Sequence, residues 1–279
     1  MLIIDTHAHI YAWDELRYPP AESPVRPPFA TGTLESFKNL AVENHVSRCC
    51  AVQPFSFYRW DNRYLWDLSD QHRERVAGVC TLNPDDPDSP LLLESCVRRF
   101  GVRGLRSYAA ADGNLKHSGV RTLWCKALEM GIAVSACVSA DKIDELVAMV
   151  SSFPALPVVV DHCLITKPTQ DLPAILKVFL CLARFPNVYA KLSFLPLGSA
   201  EDYPYRDMHE PCKRIIAAFG PERCVWGNTF PCELWSPKST YSQNLQIFTT
   251  ELGLSEAAKT CILGRTANRL WFKGNLAVQ

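Results

Sequence analysis

The chain has 279 residues, 48% hydrophobic and 21% charged, a globular composition long enough to fill one barrel-sized domain. Its 29 Lys and Arg balance 29 Asp and Glu, which argues against nucleic acid or an anionic membrane as a partner. The 12 cysteines form no C-x-x-C pair, and neither a secretory leader nor a bilayer-length apolar run is visible, so buried free thiols in a reducing cytoplasm are expected.

The first strand is expected over 2–7 (LIIDTH) and runs into Asp-x-His-x-His. Side chains alternate along a strand, so Asp5, His7 and His9 share a side if the chain stays extended. A proline-rich insertion, 11–32, precedes a helix near 33–44. Strand two, 46–52, ends at Gln53, and a helix near 61–72 leads to strand three at 76–81 and a helix near 89–99. Strand four, 102–107, supplies Arg103 and Arg106. A helix near 119–130, strand five at 132–138 and a helix near 141–152 follow. Strand six, 157–162 (PVVVDH), ends in Asp161 and His162. Beyond a helix near 171–184, strand seven at 188–193 carries Lys191 and Ser193. An insertion at 194–206 and a helix near 207–219 come next. Strand eight, 224–229, ends in Asn228 and Thr229, and helices near 240–251 and 255–272 close the chain.

Eight strand–helix repeats of roughly thirty residues predict an α/β fold with all strands parallel, a closed (β/α)8 TIM barrel. It would span 1–279 as a single domain. A doubly wound sheet suits fewer strands and often shows a Gly-rich first turn, which is missing here. Barrels concentrate chemistry at the carboxyl ends of their strands, where this chain places its polar residues. His7, His9 and His162 could ligate a divalent metal or polarise a carbonyl directly. Arg106 is the expected anchor for a substrate carboxylate; Arg103 either joins it or pairs with Asp5 or Asp161. Lys191 either stabilises an oxyanion or neutralises a buried acid. Cys137 and Cys163 have no base at a fixed spacing and are read as packing.

The segments "DTHAH", "AVQPFSFYRWDNRYL" (51–65), "GVRGLRS" (101–107), "VVVDHC", "VYAKLS" and "GRTANRLW" (264–271) occur in an order that resembles the amidohydrolase superfamily. Within it, the chain is similar to the amidohydrolase-2 group that includes pyrone-dicarboxylate lactonases, and the resemblance covers nearly the whole length. It implies that Gln53, Tyr58 and Asn62 contact substrate, while Trp13 and Phe230 could wall the pocket. One position departs. Where the family reads W-G-x-D-x-P this chain reads "WGNTFP", so Thr229 stands in the place of the acid and Asn228 in that of a Ser or Thr. A hydroxyl cannot serve as a general base near neutral pH, so His7, His162 or Asp161 would have to take the proton from water.

The expected activity is hydrolysis of an ester-type (lactone) bond in a small, cyclic, carboxylated molecule, with His7, His9, His162, Lys191, Asn228 and Thr229 as the catalytic set. The cofactor is either none or one divalent metal, zinc or manganese. A decarboxylase or other lyase on the same barrel, or a small-molecule binder that has lost its acid, are the rival readings. A homodimer is compatible with such a barrel.

Overall fold

In the computed structural model, which describes residues 1–169 and 171–273, eight parallel strands pair in sequence order. They are β1 (Ile4–Ala8), β2 (Arg48–Val52), β3 (Val76–Cys80), β4 (Gly104–Ser107), β5 (Ala133–Ala136), β6 (Val158–Val160), β7 (Val188–Leu192) and β8 (Cys224–Trp226). The sheet closes through His7 and His9. The Thr229 amide donates to the His7 carbonyl at 2.9 Å, and the His9 amide donates to the Phe230 carbonyl at 2.8 Å. The predicted α/β barrel is therefore the observed one, with a helical segment after every strand.

Strands six and eight are shorter than expected, because their last polar residues leave the sheet to build the site. Asp161–Leu164 forms a turn in which His162, Cys163 and Leu164 all have positive φ. Helix ends follow local chemistry. Thr33 caps Leu34–Glu43 by accepting from the Ser36 amide, Thr240 and Gln243 form a reciprocal capping box, and Gly101 at φ 69° ends Ser89–Phe100.

The core has two layers. Ile4, Cys50, Val52, Val79, Val159 and Val225 point into the barrel, and Ala267, Trp271 and Phe272 of the final helix plug its amino-terminal end. A larger layer, including Leu93, Trp124, Leu146, Phe179 and Ile215, fills the space between strands and helices. Trp271 is 1% exposed, and truncating a plug of that size to alanine typically costs about 3–5 kcal/mol. Among the described residues, no helix is long and apolar enough to cross a membrane.

Candidate active site

The site begins with an irregularity in β1. Asp5 pairs with Cys49 and Ala8 with Ala51, so β1 holds one extra residue between those two points, a β-bulge. Below it Ile4 points into the barrel while Asp5 points outward with Cys49. The bulge resets the alternation, so His7 and His9 turn inward together without Asp5. The Asp5 carboxylate instead accepts from the His7 and Asn228 amides, both at 2.9 Å, and from the Tyr241 hydroxyl at 3.0 Å. Burial pushes its pKa up, against the opposing pull of these bonds. Gly227 permits this seam, since a Cβ there would lie 2.9 Å from His7 Cβ.

Strands four, six and seven supply a buried charge cluster. Asp161 accepts from Arg106 Nε at 2.9 Å through Oδ2, and its Oδ1 lies 2.7 Å from Lys191 Nζ. Burial alone would raise the Asp161 pKa, but the Lys191 ammonium and the Arg106 guanidinium hold it well below the usual carboxylate range. One carboxylate thus balances two cations, and Arg103 takes no part.

The imidazoles form a directional chain. His9 Nδ1 lies 2.9 Å from the Val52 carbonyl, which can only accept, so that nitrogen carries the hydrogen and Nε2 offers a lone pair. His7 Nε2, at 3.2 Å, then donates to His9 Nε2, leaving His7 Nδ1 to accept from Lys191 Nζ at 3.4 Å. His162 Nδ1 lies 2.8 Å from Ser193 Oγ, and among the described residues no hydrogen bond engages its Nε2. Burial lowers all three pKa values, to about 3 for His9 and about 4 for His162, and well below the ordinary value for His7, where Lys191 adds to it. All three imidazoles are neutral at pH 7.

These groups meet at a cavity of about 310 Å³. His9, His162, Arg106 and Thr229 form its polar floor, and Phe55, Tyr108, Leu197 and Trp235 its apolar walls. Thr229 sits at φ 66°, a region costly for a β-branched residue, and its buried Oγ1 has no hydrogen-bond partner among the described residues. Two larger clefts, about 570 and 370 Å³, lie beneath the 11–33 segment, but neither contains an imidazole or a buried ion pair. The chemistry resides in the smaller space.

Several expected site residues lie elsewhere. Lys191 and His7 are fully buried behind the floor, Lys191 paired with Asp161 and His7 packed against His9 and His162, which line the cavity. Asn228 faces the helical layer, donating to the Tyr241 carbonyl at 3.0 Å and accepting from Cys232 and Asn244. Asn62 spends its amide on Trp60 and Thr81 backbone, Gln53 donates to the Asp61 carbonyl, and the Tyr58 hydroxyl accepts from the Ala12 amide. These three pin the β2 loop and do not line the cavity. Arg103 precedes β4 and points to the opposite end of the barrel, donating to the Trp271 and Arg73 carbonyls. Phe230 packs on Phe37 and Tyr241 in the outer layer, and Trp13 packs on Phe29 at the surface.

Other cavity residues escaped the sequence reading. Tyr108 follows Arg106 by two positions, a periodicity that could have exposed it. Cys137, read as packing, accepts from Arg106 Nη2 at 3.3 Å and lines the cavity. Trp235 closes a four-residue helix after Pro231, with no pattern to announce it.

The three imidazoles were candidates for holding zinc or manganese. The 3.2 Å between the His7 and His9 Nε2 atoms suits either a hydrogen bond or two ligands of one ion. Ligation by His7 Nε2 would, however, force a hydrogen onto Nδ1, facing the Lys191 ammonium already placed there as a donor. Among the described residues, no three His, Cys, Asp or Glu side chains are disposed to hold a metal ion. The donor set as arranged does not fit a metal centre.

Comparison with known proteins agrees with this architecture. L-fucono-1,5-lactonase of Burkholderia ambifaria is 27% identical over 238 residues, covering 82% of this chain and 80% of that protein. A probable 2-pyrone-4,6-dicarboxylic acid hydrolase from Acinetobacter baumannii, solved with citric acid bound, superposes with a TM-score of 0.81 at 18% identity, over 98% of this chain and 100% of that one. The 2,6-dihydroxybenzoate decarboxylase from Rhizobium gives 0.71 at 12% identity, over 99% and 100%. At such identities the two structures establish the fold alone. The amidohydrolase family model matches residues 4–273, almost the whole chain, which therefore belongs to the amidohydrolase family and has its catalytic barrel.

Proposed function

We propose that the protein hydrolyses an ester-type bond, a lactone, in a small carboxylated ring. The observation that carries this reading is the cavity floor, where a guanidinium in a cluster of two cations and one carboxylate lies beside a neutral imidazole with a free nitrogen. Arg106 would pair with the substrate carboxylate, which supplies the missing negative charge. In the tautomer this role requires, His162 Nδ1 donates to Ser193 Oγ and the Nε2 lone pair is available to take a proton from water. The other candidate bases are occupied. Asp161 is held by two cations, and both nitrogens of His7 are engaged.

Water oxygen would attack the acyl carbon as its proton passes to His162 Nε2, and Thr229 Oγ1 would donate to the developing oxyanion. Collapse breaks the acyl–oxygen bond, and the ring oxygen takes the proton back from His162, giving a hydroxy acid. The relative named as a lactonase supports this class of reaction. Steady-state assays of carboxylated lactones against the parent, Arg106→Ala and His162→Ala test it. A rise in KM is expected for the first, and a kcat loss of about 10²–10⁴ for the second. Parental rates in both variants would remove the proposed roles.

Decarboxylation on the same floor is a second reading, favoured by the hydroxyl at Thr229 where the family places an acid. Release of carbon dioxide instead of a hydroxy acid from an aromatic carboxylate separates the two.

A further inference from the structure

Arg103, which the active site does not use, leads to the other end of the barrel. A cavity of about 220 Å³ opens there, lined by Arg73, Arg103, Lys273, Gly101, Gly131 and Trp271 among others. We propose that this amino-terminal face binds a compact oxyanion, a phosphoryl or carboxylate group, with Arg103 at its centre.

The argument starts from unbalanced charge. Arg103 is partly buried, and its guanidinium donates to the Trp271 carbonyl at 3.3 Å and the Arg73 carbonyl at 2.6 Å. Carbonyl oxygens satisfy its hydrogens without neutralising it. Among the described residues no carboxylate lies within ion-pair distance of Arg103 or Lys273, and Asp70 is the acid that pairs with Arg73. Arg103 also lies 5.1 Å from the face of Phe272, which holds Arg48 at 4.9 Å on the same ring. Burial chiefly, and then the charges of Arg48 and Arg73, pull the Arg103 pKa down.

Such a cluster gains from an anion that bridges it, and guanidinium geometry favours oxyanions. The cavity limits the ligand to phosphate or a short dicarboxylate. Because the site lies at the opposite end of the barrel, it stands independently of the proposed hydrolysis.

Thermal unfolding of the parent, Arg103→Gln and Lys273→Gln in sodium phosphate, sodium succinate and sodium chloride at matched ionic strength tests the proposal. In the parent, phosphate or succinate should raise the midpoint above that in chloride, and the effective anion identifies the phosphoryl or carboxylate source. The rise should shrink in both variants. Titration of Lys273→Gln, altered at an exposed position that folding tolerates, should give binding roughly tenfold weaker, as expected for one lost charge-assisted contact. No anion-specific rise in the parent overturns the site. An equal rise in all three proteins also overturns it, because phosphate stabilises proteins generally by exclusion from their surfaces.

Discussion

Arg103 and Arg106 stand three residues apart and meet opposite fates. Arg106 leans over the carboxyl end of β4 onto a buried carboxylate shared with Lys191, while Arg103 leaves the amino end and, among the described residues, donates only to backbone carbonyls. Charge is costly to bury, and the two ends resolve that cost differently. One end supplies an acid and keeps a surplus cation beside the cavity; the other leaves guanidinium groups in a partly exposed pocket.

The largest effect should come from breaking the first solution. Asp161→Asn keeps the side-chain shape but strands Lys191 and Arg106, fully and nearly fully buried respectively. A loss on the order of 3–5 kcal/mol in urea unfolding is expected. Asp70→Asn, which removes the exposed partner of Arg73, should cost less than about 1 kcal/mol. Equal losses would mean that the two ends do not differ in the way described.

Acid should separate the ends next. His162 and His9 titrate in the folded protein at about 4 and about 3, below their ordinary value of 6.5. Between those limits the unfolded chain binds more protons than the folded one. Stability is therefore complete above pH 6.5 and is lost as pH falls toward 4 and then 3, by on the order of 3 kcal/mol from His162 alone. In the assay the neutral base persists to the same limit, so the acid limb of kcat/KM should lie near pH 4. A limb near 6.5 would point to a different, solvated base.

Much of this arrangement was legible in the chain, because eight apolar runs ending in polar residues admit few folds. His9, His162, Arg106 and Thr229, which the cavity brings together, stand at the predicted strand ends, where barrels carry chemistry. The bulge in β1 was not legible: one extra residue leaves no mark in composition, yet it sends Asp5 outward and the imidazoles inward. Nor could the R-G-x-R spacing reveal that its first arginine precedes the strand. Gln53, Tyr58 and Asn62 resembled contact residues because a motif records that a side chain is needed, not whether substrate or backbone needs it. Asn62→Ala decides this for one of them. Losing the clip to Thr81 should cost about 2 kcal/mol in stability and leave KM unchanged, whereas a raised KM would return Asn62 to the binding site.

The smallest stability change, and the most informative, is expected at Thr229. The residue lines the cavity, and its buried hydroxyl has no partner among the described residues, on a backbone held at positive φ. Thr229→Val keeps the branched shape and removes only that oxygen, so stability should stay level or rise by up to about 1 kcal/mol as an unsatisfied polar group disappears. If the hydroxyl donates to the oxyanion, kcat should fall by about 10²-fold with little change in KM, the pattern of a contact made in the transition state. An unchanged kcat would leave the strain at Thr229 without a catalytic purpose and would assign carbonyl activation to Arg106.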